Sequence, residues 1–124
     1  MKLIYSQTHG TISNESGEVI ATGWADNHAG KNNANMQDKP SLGPLPRGLY
    51  TICPWEAVHD HLGPMVAFLK PYPTNEMFGR GDFFMHGPAR GTKYGQESKG
   101  CVVVPRVGRQ KVKDTGATIL EVVL

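Results

Sequence analysis

The chain has 124 residues, a formal net charge of +2 and an apolar fraction of 39%, enough for one modest core and too little for two. A charged fraction of 19% argues against global disorder, and no apolar run approaches the roughly 20 residues that span a bilayer. The expectation is therefore a single domain over 1–124 without membrane insertion.

"MKLIYSQTHG" opens with one lysine and only three apolar residues before polar ones begin. It lacks the apolar stretch of a signal peptide, so synthesis in the cytoplasm without a cleaved leader is expected. Fifteen Gly and nine Pro predict many turns, hence short strands rather than long helices. "KLIYS" and "EVIATGW" read as strands. "SNESGE" between them reads as a hairpin connection, with Gly17 at positive φ. "ADNHAGKNNANMQDKPSLGP", Ala25 to Pro44, is the longest polar stretch, and a loop of that length in so small a domain is more often functional than a linker.

"GLYTICP", "PMVAFLK", "DFFMHG" and "CVVVP" continue the strand pattern, rich in β-branched and aromatic residues and bounded by Gly, Pro or Asp. "PWEAVHDHL" is a candidate for a turn or two of helix. "PRVGRQKVKD" is a second, with Pro105 at the first helical position and Gly108 weakening it. "TILEVVL" is apolar on both alternating faces save for Glu121, which predicts cover on both faces for much of its length. The sum is a mainly β domain with one or two short helices.

Charge is unevenly spread. Arg90, Lys93, Lys99, Arg106, Arg109, Lys111 and Lys113 face a single acid, Glu97, across that segment. Such a run is either a solvated face or a field that attracts carboxylates or phosphates. Nucleic acid fits poorly, because only Tyr94 lies among the cations and no nucleic-acid motif is present. "HDH", His59 to His61, offers two imidazoles on one side of an extended chain, but two ligands without a third do not make a zinc site. No metal or cofactor is assigned. His9 and His28 read as surface residues in turns, Trp24 and Trp55 as core or pocket-wall aromatics. "GRGD", Gly79 to Asp82, is too short a match to carry an adhesion role.

Cys53 and Cys101 permit a disulfide without making a disulfide scaffold. Cys53 ends a strand before a proline and reads as a small core hydrophobe. Cys101 follows Gly100 and opens "VVV". A thiol with a reference pKa near 8.5 is a useful nucleophile only with a base in reach and a partner that fixes the tautomer of that base. His86 ends "DFFM" and precedes Gly87, whose carbonyl no side chain shields. If the two strands are neighbours, the loop Pro88–Gly100 brings imidazole and thiol together at one sheet end. The main-chain N–H groups of Gly100 and Cys101 then become available as an oxyanion hole. A satisfied polar histidine and a core thiol fit the same spacing.

"HG…SKGCVV" resembles the active-site signature of the L,D-transpeptidase (YkuD-type) catalytic domain: a histidine on a strand, a loop, then Ser/Thr-x-Gly-Cys and an apolar residue. "GPLPRGLYTI", Gly43 to Ile52, is similar to the family's "P-x-G-x-Y-x-I" segment. The match is closer to the L,D-transpeptidase effectors of type VI secretion systems, through "YSQTHGTI…GEVIATGW", a Lys-Asn-Asn loop, "GPLPRGLYTI", "DFFMHG" and "SKGC". It covers most of the chain and is least diagnostic after Arg106.

The resemblance implies a β-sandwich or barrel-like fold. It implies Cys101 as acylated nucleophile, His86 as general base, the Gly87 carbonyl as the group orienting the imidazole, and Ser98 as a hydrogen-bonding residue of the catalytic loop. Arg106 stands near a family arginine and is a candidate for a substrate carboxylate. Lys31 and Asn32 fall where the effectors carry their Lys-Asn loop, which implies a loop bordering the cleft and makes both candidates for substrate binding. Lys99 departs from the histidine many relatives carry there, which removes any second imidazole. The implied substrate is the peptidoglycan stem peptide, attacked after its third, diaminopimelate residue. The implied setting is an exported antibacterial toxin acting in a target periplasm, with a cognate immunity protein as partner. Two rivals stand beside this reading. A papain-like endopeptidase would place cysteine before histidine, at a helix start, and here the order is reversed. A non-catalytic cell-wall or partner-binding module would suit a Cys53–Cys101 bridge.

Overall fold

The computed structural model describes residues 1–25, 33–38, 43–60, 62–88 and 100–124, with the backbone alone at Ala34. Among these the architecture is mainly β: a ten-stranded mixed sheet with one short α-helix. The strands are β1 (Lys2–Ser6), β2 (Thr11–Ser13), β3 (Val19–Thr22), β4 (Trp24–Ala25) and β5 (Gly48–Ile52). They continue with β6 (Glu56–His59), β7 (Gly63–Pro71), β8 (Phe84–His86), β9 (Val102–Val103) and β10 (Ile119–Val123). Helix α1 covers Arg106–Asp114, and a 3-10 turn covers Ala34–Met36.

The sheet runs β3-β2-β1-β10-β5-β7-β8-β9-β4, with β6 added to β7 off this path. β1 with β10 and β8 with β9 are parallel; the other pairs are antiparallel. The path begins on β3 and ends on β4, and those strands are separated in the chain by Gly23 alone. One run of chain thus pairs with β2 through its first half and with β9 through its second, giving the barrel-like closure that leaves fewer bare edges. Gly23 makes the transfer possible: its N–H donates to Gly10 O at 2.8 Å, and a Cβ there would strike the Val103 carbonyl.

The core is filled from alternate positions of these strands. Leu3 and Tyr5 of β1, Ile12 of β2, Tyr50 of β5, Leu69 of β7, Met85 of β8 and Leu120 of β10 are fully buried. Period-two alternation leaves the intervening side chains of β1 and β10 half-buried, whereas β7 and β8 bury consecutive residues. Gly17 takes φ +90° in the β2–β3 connection, as the hairpin reading expects.

Three expectations need correction. "PWEAVHDHL" contains the strand β6, not a helical turn. Its exposed residues offer no apolar stripe for a helix to bury, whereas pairing Glu56 with Val66 and Val58 with Pro64 satisfies its backbone on β7. β10 is not covered on both faces: Leu120 and Val122 are buried, while Ile119, Glu121 and Val123 are half-buried. Glu121 keeps that face open to water, where it pairs with Lys2 Nζ at 2.9 Å. Cys53 is half-buried rather than in the core, because its N–H continues the ladder to Phe68 O at the rim.

α1 forms where "PRVGRQKVKD" predicts, with Pro105 as the capping residue one position before the helix. Lys111 and Lys113 lie in its last turn, where cations complement the helix dipole. Gly108 is tolerated because it is the contact point: a Cβ would come within 2.8 Å of Val104 Cγ1 and 3.1 Å of Ala21 Cβ, bringing α1 tightly onto β3.

Candidate active site

His86 closes β8, and the ring is 1% exposed. Its Nδ1 lies 2.8 Å from the carbonyl oxygen of Gly87. A carbonyl only accepts, so Nδ1 carries the proton in this contact and the neutral ring presents Nε2 as its basic nitrogen. Gly87 is a glycine for a steric reason as well, since a Cβ there would collide with the guanidinium of Arg109. The His86 carbonyl in turn accepts from Val104 N at 2.8 Å, which ties the end of β8 to the chain beyond β9.

β8 and β9 are neighbours, parallel, with Met85 opposite Val102 and His86 opposite Val103. Continuing that register by one residue sets Cys101 beside Phe84, and Phe84 N indeed donates to Cys101 Sγ at 3.3 Å. Phe84 and His86 share one face of β8 by strand alternation, and Cys101 directly precedes the β9 residue that pairs with Met85. The thiol in turn donates to Asp82 O at 3.9 Å, two residues before Phe84. The N–H of Phe84 is a donor that a thiolate accepts better than a thiol does. Cys101 is 7% exposed, so both it and His86 are buried. No disulfide joins Cys53 to Cys101.

Gly100 adopts φ +103°, a region L side chains avoid. A Cβ there would also lie 2.5 Å from Arg80 Nη2 and 2.6 Å from Phe83 Cε1. Its carbonyl accepts from Leu45 N at 3.0 Å, so the buried "GPLP" run, Gly43–Pro46, abuts the turn that precedes the thiol. That run is held by Tyr50, whose hydroxyl donates to Pro46 O at 2.6 Å. Desolvation pushes the Tyr50 phenol well above its ordinary value, against a smaller opposing effect of the Arg80 charge.

Ser98, Lys31 and Asn32 lie outside the described residues, as do His28, His61, Arg90, Lys93 and Lys99. Arg106 is exposed at the first position of α1, where the helix dipole disfavours a cation. Arg109 does not belong to the solvated cationic face: it is 3% exposed. Its Nη1 donates to Val104 O at 2.6 Å, Nε to Met65 O at 3.0 Å and Nη2 to Pro64 O at 3.3 Å. Burial first, and then the Arg106 charge, hold it below the ordinary arginine value. His59 is occupied structurally, with Nδ1 accepting from Leu62 N and its ring edge-on to Phe84. Among the described residues no group of three metal-ligating side chains converges. A groove of about 420 Å³ lies between β3 and α1, lined by Glu18, Val19, Ile20, Lys111, Asp114 and Thr115. It includes none of the candidate residues.

Sequence reasoning missed Arg80, Arg109, Gln7 and Gln37, which build the support around His86 and Gly100. One signal existed for Arg109: α1 has almost no apolar stripe, with Val112 its one buried valine and Val107 70% exposed. A partner three residues from Val112 had to complete the inward face.

A family model described as the Tlde1 domain matches residues 20–118, well over half of the chain, a span that includes His86, Gly87, Gly100 and Cys101. No curated protein and no solved structure matches the chain.

Proposed function

The chain belongs to the Tlde1 domain family, the L,D-transpeptidase effectors of type VI secretion, and from that premise we propose a cysteine enzyme acting on peptidoglycan stem peptides. The observation that supports this reading is the parallel β8–β9 pairing, which makes the chain segments carrying His86 and Cys101 neighbours, with His86 Nδ1 bonded to Gly87 O.

In the proposed reaction His86 Nε2 takes the proton of the Cys101 thiol, and the thiolate attacks the carbonyl of the third stem residue. The N–H groups of Gly100 and Cys101 receive the negative charge that develops on that oxygen. As the tetrahedral intermediate collapses, the C–N bond to the terminal D-alanine breaks and His86 returns the proton to the departing amine. The resulting thioester is taken by water, which makes a carboxypeptidase, or by an amine, which makes a cross-link or exchanges a D-amino acid. Ser98 serves as a hydrogen-bonding residue of the loop, and Arg106, Lys31 and Asn32 contact the carboxylates and amides of the substrate. An exposed cation at an unfavourable helix position supports Arg106 in that role. The whole chain acts as one catalytic domain. Removing donor stems in the periplasm of a rival cell would starve normal cross-linking, and kin would be protected by an immunity protein that blocks the cleft.

Mass spectrometry of muropeptide tetrapeptides, incubated with and without a free D-amino acid, tests this. The parent should release D-alanine and form either tripeptide or exchanged product, whereas Cys101→Ala and His86→Ala should do neither. D-alanine release that survives in Cys101→Ala would remove the mechanism.

A further inference from the structure

Arg80 has no role in the reaction as written, yet its guanidinium reaches across two legs of the long loop. Nη1 donates to Gln37 O at 2.5 Å and to Pro44 O at 2.7 Å, and Nη2 donates to Gly43 O at 2.9 Å. The same group lies 5.1 Å from the Phe83 ring centroid, just before β8. Gly43 is pressed against the Met36 backbone so closely that a Cβ would not fit. Segments 33–38 and 43–47 therefore run side by side beneath one planar donor. Gln7, fully buried at the end of β1, adds a second tie through Nε2 to Gln37 Oε1 at 3.2 Å and Leu45 O at 3.1 Å.

The next link leads to the thiol. With Pro44 O held by Arg80, Leu45 N donates to Gly100 O at 3.0 Å. A trans peptide is planar, with N–H opposite C=O. Fixing the Gly100 carbonyl on Leu45 therefore aims the Cys101 N–H the other way. We propose that Arg80 is a positioning residue for acyl transfer: by clasping Gly43 and Pro44 it orients the Gly100–Cys101 peptide whose N–H meets the oxyanion. This rests on the cysteine-enzyme reading above. Lysine cannot replace it, because an ammonium is a point donor and lacks the planar fork that spans three carbonyls.

The test uses the full chain as parent, Arg80→Lys and Arg80→Gln, with thermal melts confirming the folded state. Alkylation of Cys101 by iodoacetamide passes through no oxyanion, so both variants should react within about twofold of the parent. D-Alanine release should lose about 100-fold in kcat, as for a missing oxyanion donor, with little change in KM. Amide hydrogen exchange gives a readout independent of turnover: the Leu45 amide should be protected in the parent and exchange at least about tenfold faster in either variant. Arg80→Lys with unimpaired kcat, alkylation that falls in step with kcat, or an unchanged Leu45 amide overturns the clasp. A parent that alkylates normally but releases no D-alanine removes the acyl-transfer reading, and the exchange rates then decide the clasp by themselves.

Discussion

Arg109→Met separates the two things that the buried guanidinium does. The methionine keeps an unbranched, apolar stem of similar reach but loses the donors to Val104 O, Met65 O and Pro64 O. A hydrogen bond from a charged donor is worth about 1.5–3 kcal/mol, and a buried carbonyl left bare costs about 1–3 kcal/mol. The Pro64 contact at 3.3 Å is the weakest of the three. Removing the cation also relieves its desolvation, the same burial that lowers its pKa. Setting two strong bonds and one weak one against that relief leaves a net loss of about 3 kcal/mol. An unfolding entropy of about 2.1 cal/mol/K per residue over 124 residues turns this into a fall of roughly 12 °C in the melting midpoint. Arg109→Lys, with one donor group in place of the fork, should fall between parent and Met. Differential scanning calorimetry reads both. An Arg109→Met midpoint within about 2 °C of the parent would refute the view that these carbonyls depend on the guanidinium.

Gly108→Ala should lower stability by about 1 kcal/mol in urea titrations although alanine is the better helix former, because the new methyl meets Val104 Cγ1 at 2.8 Å. Tyr5 and Tyr50 are both pushed well above the ordinary phenol value by burial. The folded state thus favours the neutral phenols, so their contribution to stability is intact below about pH 10 and declines as pH rises beyond it; ultraviolet titration should show both ionising only with unfolding. Cys53→Ala should leave alkylation of Cys101 and D-alanine release unchanged within about twofold, since Cys53 is half-buried, on the far side of β7 from β8 in the sheet order, and bonded through its backbone.

The strands were readable because their evidence is local. β-Branched and aromatic residues between Gly and Pro mark β1, β5, β7, β8 and β10 in the chain itself. That the segments ending in His86 and beginning after Cys101 are neighbours was readable for a related reason: two short strands flanking one loop leave few places for their ends to go. β6 was misread because "WEAVHD" carries no decisive period, and the free edge of β7 settled it. Arg80 and Arg109 were invisible as supports because an arginine that donates to carbonyls needs no matching acid to betray it. Their partners are backbone atoms of segments between 5 and 45 residues away.

Residue order was thus enough to specify short strands, the turn glycines and the succession of histidine, loop and thiol, since steric preference and side-chain period act over a few neighbours. Tertiary packing decided which strands pair, that the sheet returns on itself through Gly23, and that β8 and β9 lie side by side. It also decided that two arginines from a cationic-looking chain turn inward. Those outcomes depend on carbonyls and edges supplied by distant segments, and a hydrogen bond to a main-chain oxygen leaves no mark on the identity of the residue that accepts it.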